Sequence, residues 1–267
     1  MKFADWTGIG RMDEMARLAS PVQRLDARGK AVVTLAFIVA VMSFPRHEVS
    51  ALTPFLLYPI ALISLGRIPL WFIVKKTIVA APFALAIAIF NPIIDRAPLA
   101  SVGPLVVTGG WVSFASIMFR FVLTVGAALA LVACTGMNRL GAAMEQLGIP
   151  RAFVVQLLFL YRYLFVISDH AGKMTRSAEL RSGGRPLGFR LYGSMIGHLL
   201  LRSMARAERV HRAMVARGFD GRIRVLRQTR FQWRDALFIC GCLALFAAAR
   251  VWNLAAGLGQ LLAGGAS

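Results

Sequence analysis

Apolar stretches recur along the chain at about 31–44, 51–65, 77–90, 112–133, 152–167 and 235–249, separated by polar or basic connectors. A bilayer crossing by a helix takes roughly 20 predominantly apolar residues, with tilt and snorkelling giving some slack. Only 112–133 reaches that length alone; the other runs draw on their flanks. The pattern predicts an all-α integral membrane protein with about five transmembrane helices. It also predicts long amphipathic helices outside the bilayer. Winding residues 197–218 at about 100° per residue places Leu200, Met204, Ala207, His211, Met214 and Val215 on one face. Arg202, Arg206, Arg209 and Arg217 fall on the opposite side, with Arg212 near its edge.

This basic helix has a sharp end. Gly218 suits the left-handed residue that closes a helix, and Asp220-Gly221 reads as a turn. Arg217 therefore stands at the helix C-terminus, where the negative end of the helix dipole favours a cation. A second stretch resembles it. Residues 169–182, DHAGKMTRSAELRS, read as a helix ending at Arg181-Ser182, after which Gly183-Gly184-Arg185-Pro186 break it. Two helices thus end in an arginine beside a helix breaker, and the two arginines are 36 residues apart. One reading is a pair of surface helices attracted to anionic lipid. The other is docking: a terminal guanidinium offers a rigid fork of donors to a partner's carboxylate.

Charge then orders the spans. Residues 1–30 carry Lys2, Arg11, Arg17, Arg24, Arg28 and Lys30, which places the N-terminus in the cytoplasm. The connector near Pro45 holds only Arg46, the one after it holds Arg67, Lys75 and Lys76, and the Pro- and Gly-rich loop 91–111 holds only Arg96. If 154–168 crossed, residues 169–234 would lie outside with fifteen Lys/Arg against four Asp/Glu. We therefore read 154–168 as non-spanning, and Arg162 in its middle fits a helix that does not face lipid. The last run exits again, with Arg250 and Trp252 at the outer interface. The expected organisation is 1–134, about four spans; 135–234, a cytoplasmic helical region; and 235–267, a final span.

Composition narrows the chemistry. The chain has 267 residues, a mean hydropathy of +0.65 and a net charge of +19. A soluble protein with that charge would suggest nucleic acid; here the cations sit between apolar runs and set topology, so no nucleic-acid partner is expected. No phosphate-binding G-x-x-x-x-G-K-[ST] occurs, so the chain is not expected to hydrolyse ATP. His47, His170, His198 and His211 are scattered without metal-ligand spacing, and Cys134, Cys240 and Cys242 read as small buried apolar residues. No cofactor and no metal site is expected, and the spans contain no acidic residue to relay protons or hold a cation. Arg120 is the one cation deep in a span, paired there with a carbonyl or polar group or else lining a pathway. A stand-alone carrier or channel would show ionisable groups along the spans. A membrane enzyme acting on anionic lipid would show a nucleophile or metal cluster beside the arginines.

Several segments resemble the T component of energy-coupling factor transporters, in particular its CbiQ branch, which serves cobalt import. Leu25-Asp26-Ala27-Arg28-Gly29-Lys30 is similar to the family's L-D-P-R-T-K signature, with Ala27 and Gly29 as departures. Arg120 matches a recurrent arginine. Gln146-Leu147-Gly148-Ile149-Pro150-Arg151 resembles the L-G-x-P turn, and Leu160-Tyr161-Arg162-Tyr163-Leu164 the apolar-Arg-aromatic segment. Ala216-Arg217-Gly218 resembles the second X-R-X motif; Leu180-Arg181-Ser182 resembles the first, with Arg185 the alternative register. The resemblance implies a non-catalytic subunit of a bacterial inner-membrane importer for cobalt. In that family Arg181 and Arg217, flanked by Ser182, Ala216 and Gly218, would each dock in a groove of one copy of a homodimeric, CbiO-like ATPase. Asp26, Arg28, Lys30, Arg120 and Arg162 would be scaffold residues. The metal would be bound by a CbiM-like capture subunit, with a small CbiN-like accessory subunit, and membrane lipid would surround the whole. The N-terminus and the coupling helices would be cytoplasmic.

Overall fold

The computed structural model describes residues 25–45, 50–94, 98–102, 105–183, 187–221 and 232–251. In chain order the elements are α1 (Ala27–Met42), a 3₁₀ helix (Ser50–Leu56), α2 (Leu57–Leu65), α3 (Leu70–Ala88), α4 (Phe90–Ile94), β1 (Pro98–Val102), β2 (Leu105–Thr108) and α5 (Gly109–Thr135). They continue with α6 (Met137–Gln146), α7 (Arg151–Arg181), α8 (Phe189–Ala216) and α9 (Trp233–Val251). Among the described residues the protein is helical, apart from one short antiparallel hairpin in which Pro98 pairs with Thr108 and Val102 with Leu105. Leu70–Pro92, Gly109–Thr135 and Arg151–Arg181 are long and apolar enough to cross a membrane, and Ala51–Leu65 is a shorter apolar stretch. Among the described residues two compact units separate: a bundle unit up to Gly136 and from Gln232 onward, and a basic unit from Met137 to Gly221.

The bundle unit is assembled around an aromatic cluster. Phe37 of α1 lies 4.8 Å from Tyr58 and 5.5 Å from Phe246 of α9, centroid to centroid. Phe55 meets Phe44 edge-on at 5.3 Å and stacks near Phe246 at 5.9 Å. Such offset and edge-on arrangements add to the burial of large rings. Tyr58 and Thr34 share a hydrogen bond of 2.7 Å, so neither buried hydroxyl is orphaned. The outer faces of the unit remain apolar and exposed, including Leu35, Val39, Trp71, Val79 and Phe83. That is the surface expected where lipid, not water, is the neighbour.

Contacts at the helix ends fix directions. α1 and α9 begin together, because the Asp26 backbone N–H donates to Asp235 Oδ1 at 2.9 Å. They also finish together: Arg250 donates to the Ser43 carbonyl at 3.4 Å and lies 4.6 Å over the Phe44 ring. The two helices are therefore parallel. The 3₁₀ helix and α2 run back along α1, matching Phe55 with Phe44 and then Tyr58 with Thr34. α5 finishes beside the end of α2, where Cys134 Sγ donates to the Leu62 carbonyl at 3.6 Å. The chain thus leaves α5 and re-enters α9 at the end of the bundle unit where α1 starts.

In the basic unit, α6 and α7 pack closely at Gly141; a Cβ there would lie 2.9 Å from the Leu158 side chain. The turn between them is a complete Schellman closure. Ile149 N–H donates to Met144 O at 3.1 Å and Gly148 N–H to Glu145 O at 3.2 Å, with Gly148 at φ +95°. Pro150 is the N-cap of α7, a position where its missing N–H has no helical bond to lose, and Arg151 closes a 2.7 Å ion pair with Glu145 across the turn. α7 and α8 form an antiparallel pair, tied where Arg206 Nη1 meets His170 Nε2 at 3.0 Å.

Four expectations change. Residues 154–168 and 169–181 belong to one uninterrupted helix, Arg151–Arg181, since no proline interrupts it and the isolated Gly172 is tolerated inside a helix. By length and composition alone this helix could cross a membrane. Lys75 and Lys76 lie inside α3, not in a connector, because the helix starts directly after Pro69. Residues 91–111 hold α4 and the hairpin instead of an open loop. Finally, α8 turns one edge of its apolar stripe toward α7: Met204, Ala207, His211 and Met214 of the expected face line the groove together with Leu199, Ser203 and Val210, while Leu200 and Val215 stay exposed. Lys2, Arg11, Arg17, Arg24, Arg46, His47, Arg96, Arg185 and Trp252 lie outside the described residues.

Candidate functional site

The C-terminus of α8 is closed by backbone geometry. Phe219 N–H donates to Met214 O at 3.0 Å and Gly218 N–H to Val215 O at 2.9 Å, with Gly218 at φ +76°. This is again the Schellman pair, and the left-handed position is why a glycine stands there. Arg217 is the cap residue itself, exposed, on the last turn after Ala216. At the other tip, Arg181 is the last residue of α7, Ser182 is the cap and Gly183 takes φ +59°. The Ser182 hydroxyl donates to Glu179 O at 2.8 Å, satisfying one carbonyl of the last turn. Neither Arg181 nor Arg217 forms a salt bridge with a carboxylate among the described residues. α8 has 28 residues, so at 1.5 Å per residue the antiparallel pair holds its two arginine tips roughly 40 Å apart.

The L-D-x-R-x-K stretch serves a different end. Asp26 is the N-cap of α1, accepting from Arg28 N–H at 2.9 Å. Arg28 Nε stands 4.0 Å from the same carboxylate. Lys30 is 1% exposed and Asp26 2% exposed, so this charged stretch is core. Asp235, 4% exposed, completes the node. Its Oδ2 accepts from Gln232 N–H at 2.8 Å, the reach-back of a capping box. Its Oδ1 takes the N–H of Asp26, so one carboxylate holds the first turns of two helices.

Asp235 corrects the expectation that the spans carry no acid. It is the first residue of the last apolar run, and its place three residues after Gln232 was the available signal. Arg120 lies eleven residues into α5 and donates to the Pro45 carbonyl at 2.6 Å, beside the finishing end of α1. Arg162 is exposed on α7. Cys134 is buried, but Cys240 is exposed and Cys242 only partly covered. His170 and His211 line the same groove between α7 and α8, yet no group of three metal-ligating side chains occurs among the described residues.

Comparison with known proteins now places these features. The sequence model of the CbiQ family, described as a cobalt transport protein, matches residues 19–229. An uncharacterized protein of Methanocaldococcus jannaschii, MJ1571, is 26% identical over 85% of this chain and 81% of its own length. A second from that organism, MJ1089, is 30% identical over 39% of each chain. The nickel permease LarQ of Lactiplantibacillus plantarum is 32% identical over 42% of this chain and 40% of its own. The match to MJ1089 and that to LarQ thus each span about two fifths of the relative's length. The long apolar helices make the protein a multi-pass membrane protein. With the family model covering most of its length, the chain belongs to the CbiQ family of cobalt transport proteins.

Proposed function

We propose that the chain is the coupling subunit of an energy-coupling-factor importer for cobalt or nickel. It passes ATP-driven motion of two ATPase subunits to a membrane subunit that captures the metal. The observation that carries this reading is the pair of arginine tips. Each ends a long helix closed by a left-handed glycine, Gly218 directly after Arg217 and Gly183 one residue beyond the cap Ser182, and each is exposed without a salt bridge to a carboxylate among the described residues. A separation of roughly 40 Å suits one tip per ATPase copy.

Helix direction supports the cytoplasmic assignment. α5 ends and α9 starts at the same end of the bundle unit, so the segment between them crosses the bilayer an even number of times. α8 carries Arg190, Arg202, Arg206, Arg209 and Arg212 and is too polar to span, which leaves α7 on one side with it. The positive-inside bias makes that side the cytoplasm. The open apolar face of α8, including Phe189, Ile196, Leu200 and Leu201, is then available to the capture subunit. The chain itself does no chemistry in this reading.

Co-expression with a family ATPase pair, followed by affinity purification in detergent, tests the proposal. The wild-type chain retains the ATPases. Arg181→Ala with Arg217→Ala loses them, since losing a cation from a desolvated ion pair costs about 2–5 kcal/mol. Full retention by the double variant would overturn the assignment of the tips.

A further inference from the structure

Between α7 and α8 the basic unit forms an open-sided cavity of about 780 Å³, within the range of ligand sites, about 300–1,000 Å³. Its floor is apolar, formed by Phe159, Tyr163 and Val166 of α7 with Leu199, Val210 and Met214 of α8. Arg202, Arg206 and Arg209 line the same cavity, and no described acidic side chain does. The contrast with nearby cations is sharp. Arg212 has Glu208 at 3.1 Å and Lys173 has Asp169 at 2.7 Å. Arg206 meets the ring nitrogen His170 Nε2 at 3.0 Å, not a carboxylate, and none of the three arginines forms a salt bridge among the described residues. Three positive charges at i, i+4 and i+7 therefore border an apolar trough without compensation.

We infer that this cavity holds one anionic phospholipid, its phosphate on Arg202, Arg206 and Arg209 and an acyl chain along the aromatic and aliphatic floor. Guanidinium forks match phosphate oxygens geometrically, and basic clusters beside a membrane draw acidic headgroups. Free phosphate would leave the floor wet, and a neutral lipid would leave three charges unmatched. A membrane-embedded chain meets such amphiphiles continuously. The bound lipid would brace α7 against α8 where direct contact is sparse.

Native mass spectrometry of the delipidated full chain, titrated with phosphatidylglycerol or with phosphatidylcholine of the same acyl chains, tests this. A single phosphatidylglycerol adduct is expected, with phosphatidylcholine far weaker. Replacing all three arginines by Gln weakens the adduct about a hundredfold, while all-Lys replacement keeps most of it. Arg176→Gln with Arg212→Gln, outside the cavity, leaves it unchanged. Val210→Asp abolishes it from the floor side, with melting temperature and circular dichroism confirming that the variants fold. Equal binding of phosphatidylcholine, an adduct indifferent to the Gln replacements, or displacement by millimolar inorganic phosphate would overturn the inference. So would a thiol at Ser203 that cross-links to a partner subunit in the assembled transporter, because the occupant would then be protein.

Discussion

α5 and α8 are almost the same length, 27 and 28 residues, yet α5 buries eleven residues within the chain and α8 buries none. The sequence of each explains the contrast. α5 lines its inner face with Ser113, Ser116, Gly126, Ala127, Ala130 and Ala133, small residues that let neighbouring helices approach. α8 alternates large apolar residues with arginines, so it has one face for an apolar partner and one for anions. The bundle unit thus carries its own packing partners. The basic unit is held by caps, turns and a few polar ties, and its large faces wait for something outside the chain. Changes in the first should read out as stability, and changes in the second as association.

The largest stability effect is expected at Asp235. Asp235→Ala leaves the N–H groups of Asp26 and Gln232 without their acceptor, at about 1–3 kcal/mol each. A lowered melting temperature in detergent is the measure, and Asp235→Asn, which keeps one acceptor, should fall between Ala and wild type. Next comes Gly66→Ala. Its Cβ would stand 2.5 Å from Leu62 O and 2.6 Å from Cys134 Sγ, an overpacking worth about 1–3 kcal/mol. Pairing it with Cys134→Ala should recover part of the loss; no recovery would show that the Leu62 carbonyl alone sets the cost. Gly218→Ala puts a side chain at φ +76°, costing about 1–2 kcal/mol locally. Here the expected readout is poorer ATPase retention with little change in melting, and a large melting shift would erase the contrast between the units. Smallest is Glu208→Ala, which breaks an exposed pair with Arg212 and should change stability by no more than about 0.5 kcal/mol.

What the sequence disclosed follows the range of the physics involved. The stops at Arg217-Gly218 and Leu147-Gly148-Ile149-Pro150 were legible because glycine and proline act within one turn. The apolar stripe of α8 was equally visible, since it depends only on helical period. What it packs against was not: α7 meets the edge of the stripe, and that choice is made by tertiary contacts. The continuity of α7 is not legible from polarity: the change at Ser168-Asp169 suggests an element boundary, yet the backbone runs through it and through Gly172. Asp26 enters the sequence reading only through its family signature, and its cap on α1 is a local contact with Arg28 N–H. Its other partner, Asp235, stands 209 positions away, beyond any local rule.

The central claim is that the arginine-tipped helices lie on the cytoplasmic side, where an ATPase can reach them. Single thiols introduced at Ser182 and at Ala216, in a chain whose Cys134, Cys240 and Cys242 are replaced, can be challenged with a membrane-impermeant maleimide on intact cells. The account predicts labelling of both positions only after the membrane is permeabilised. Labelling of either from outside intact cells would contradict it.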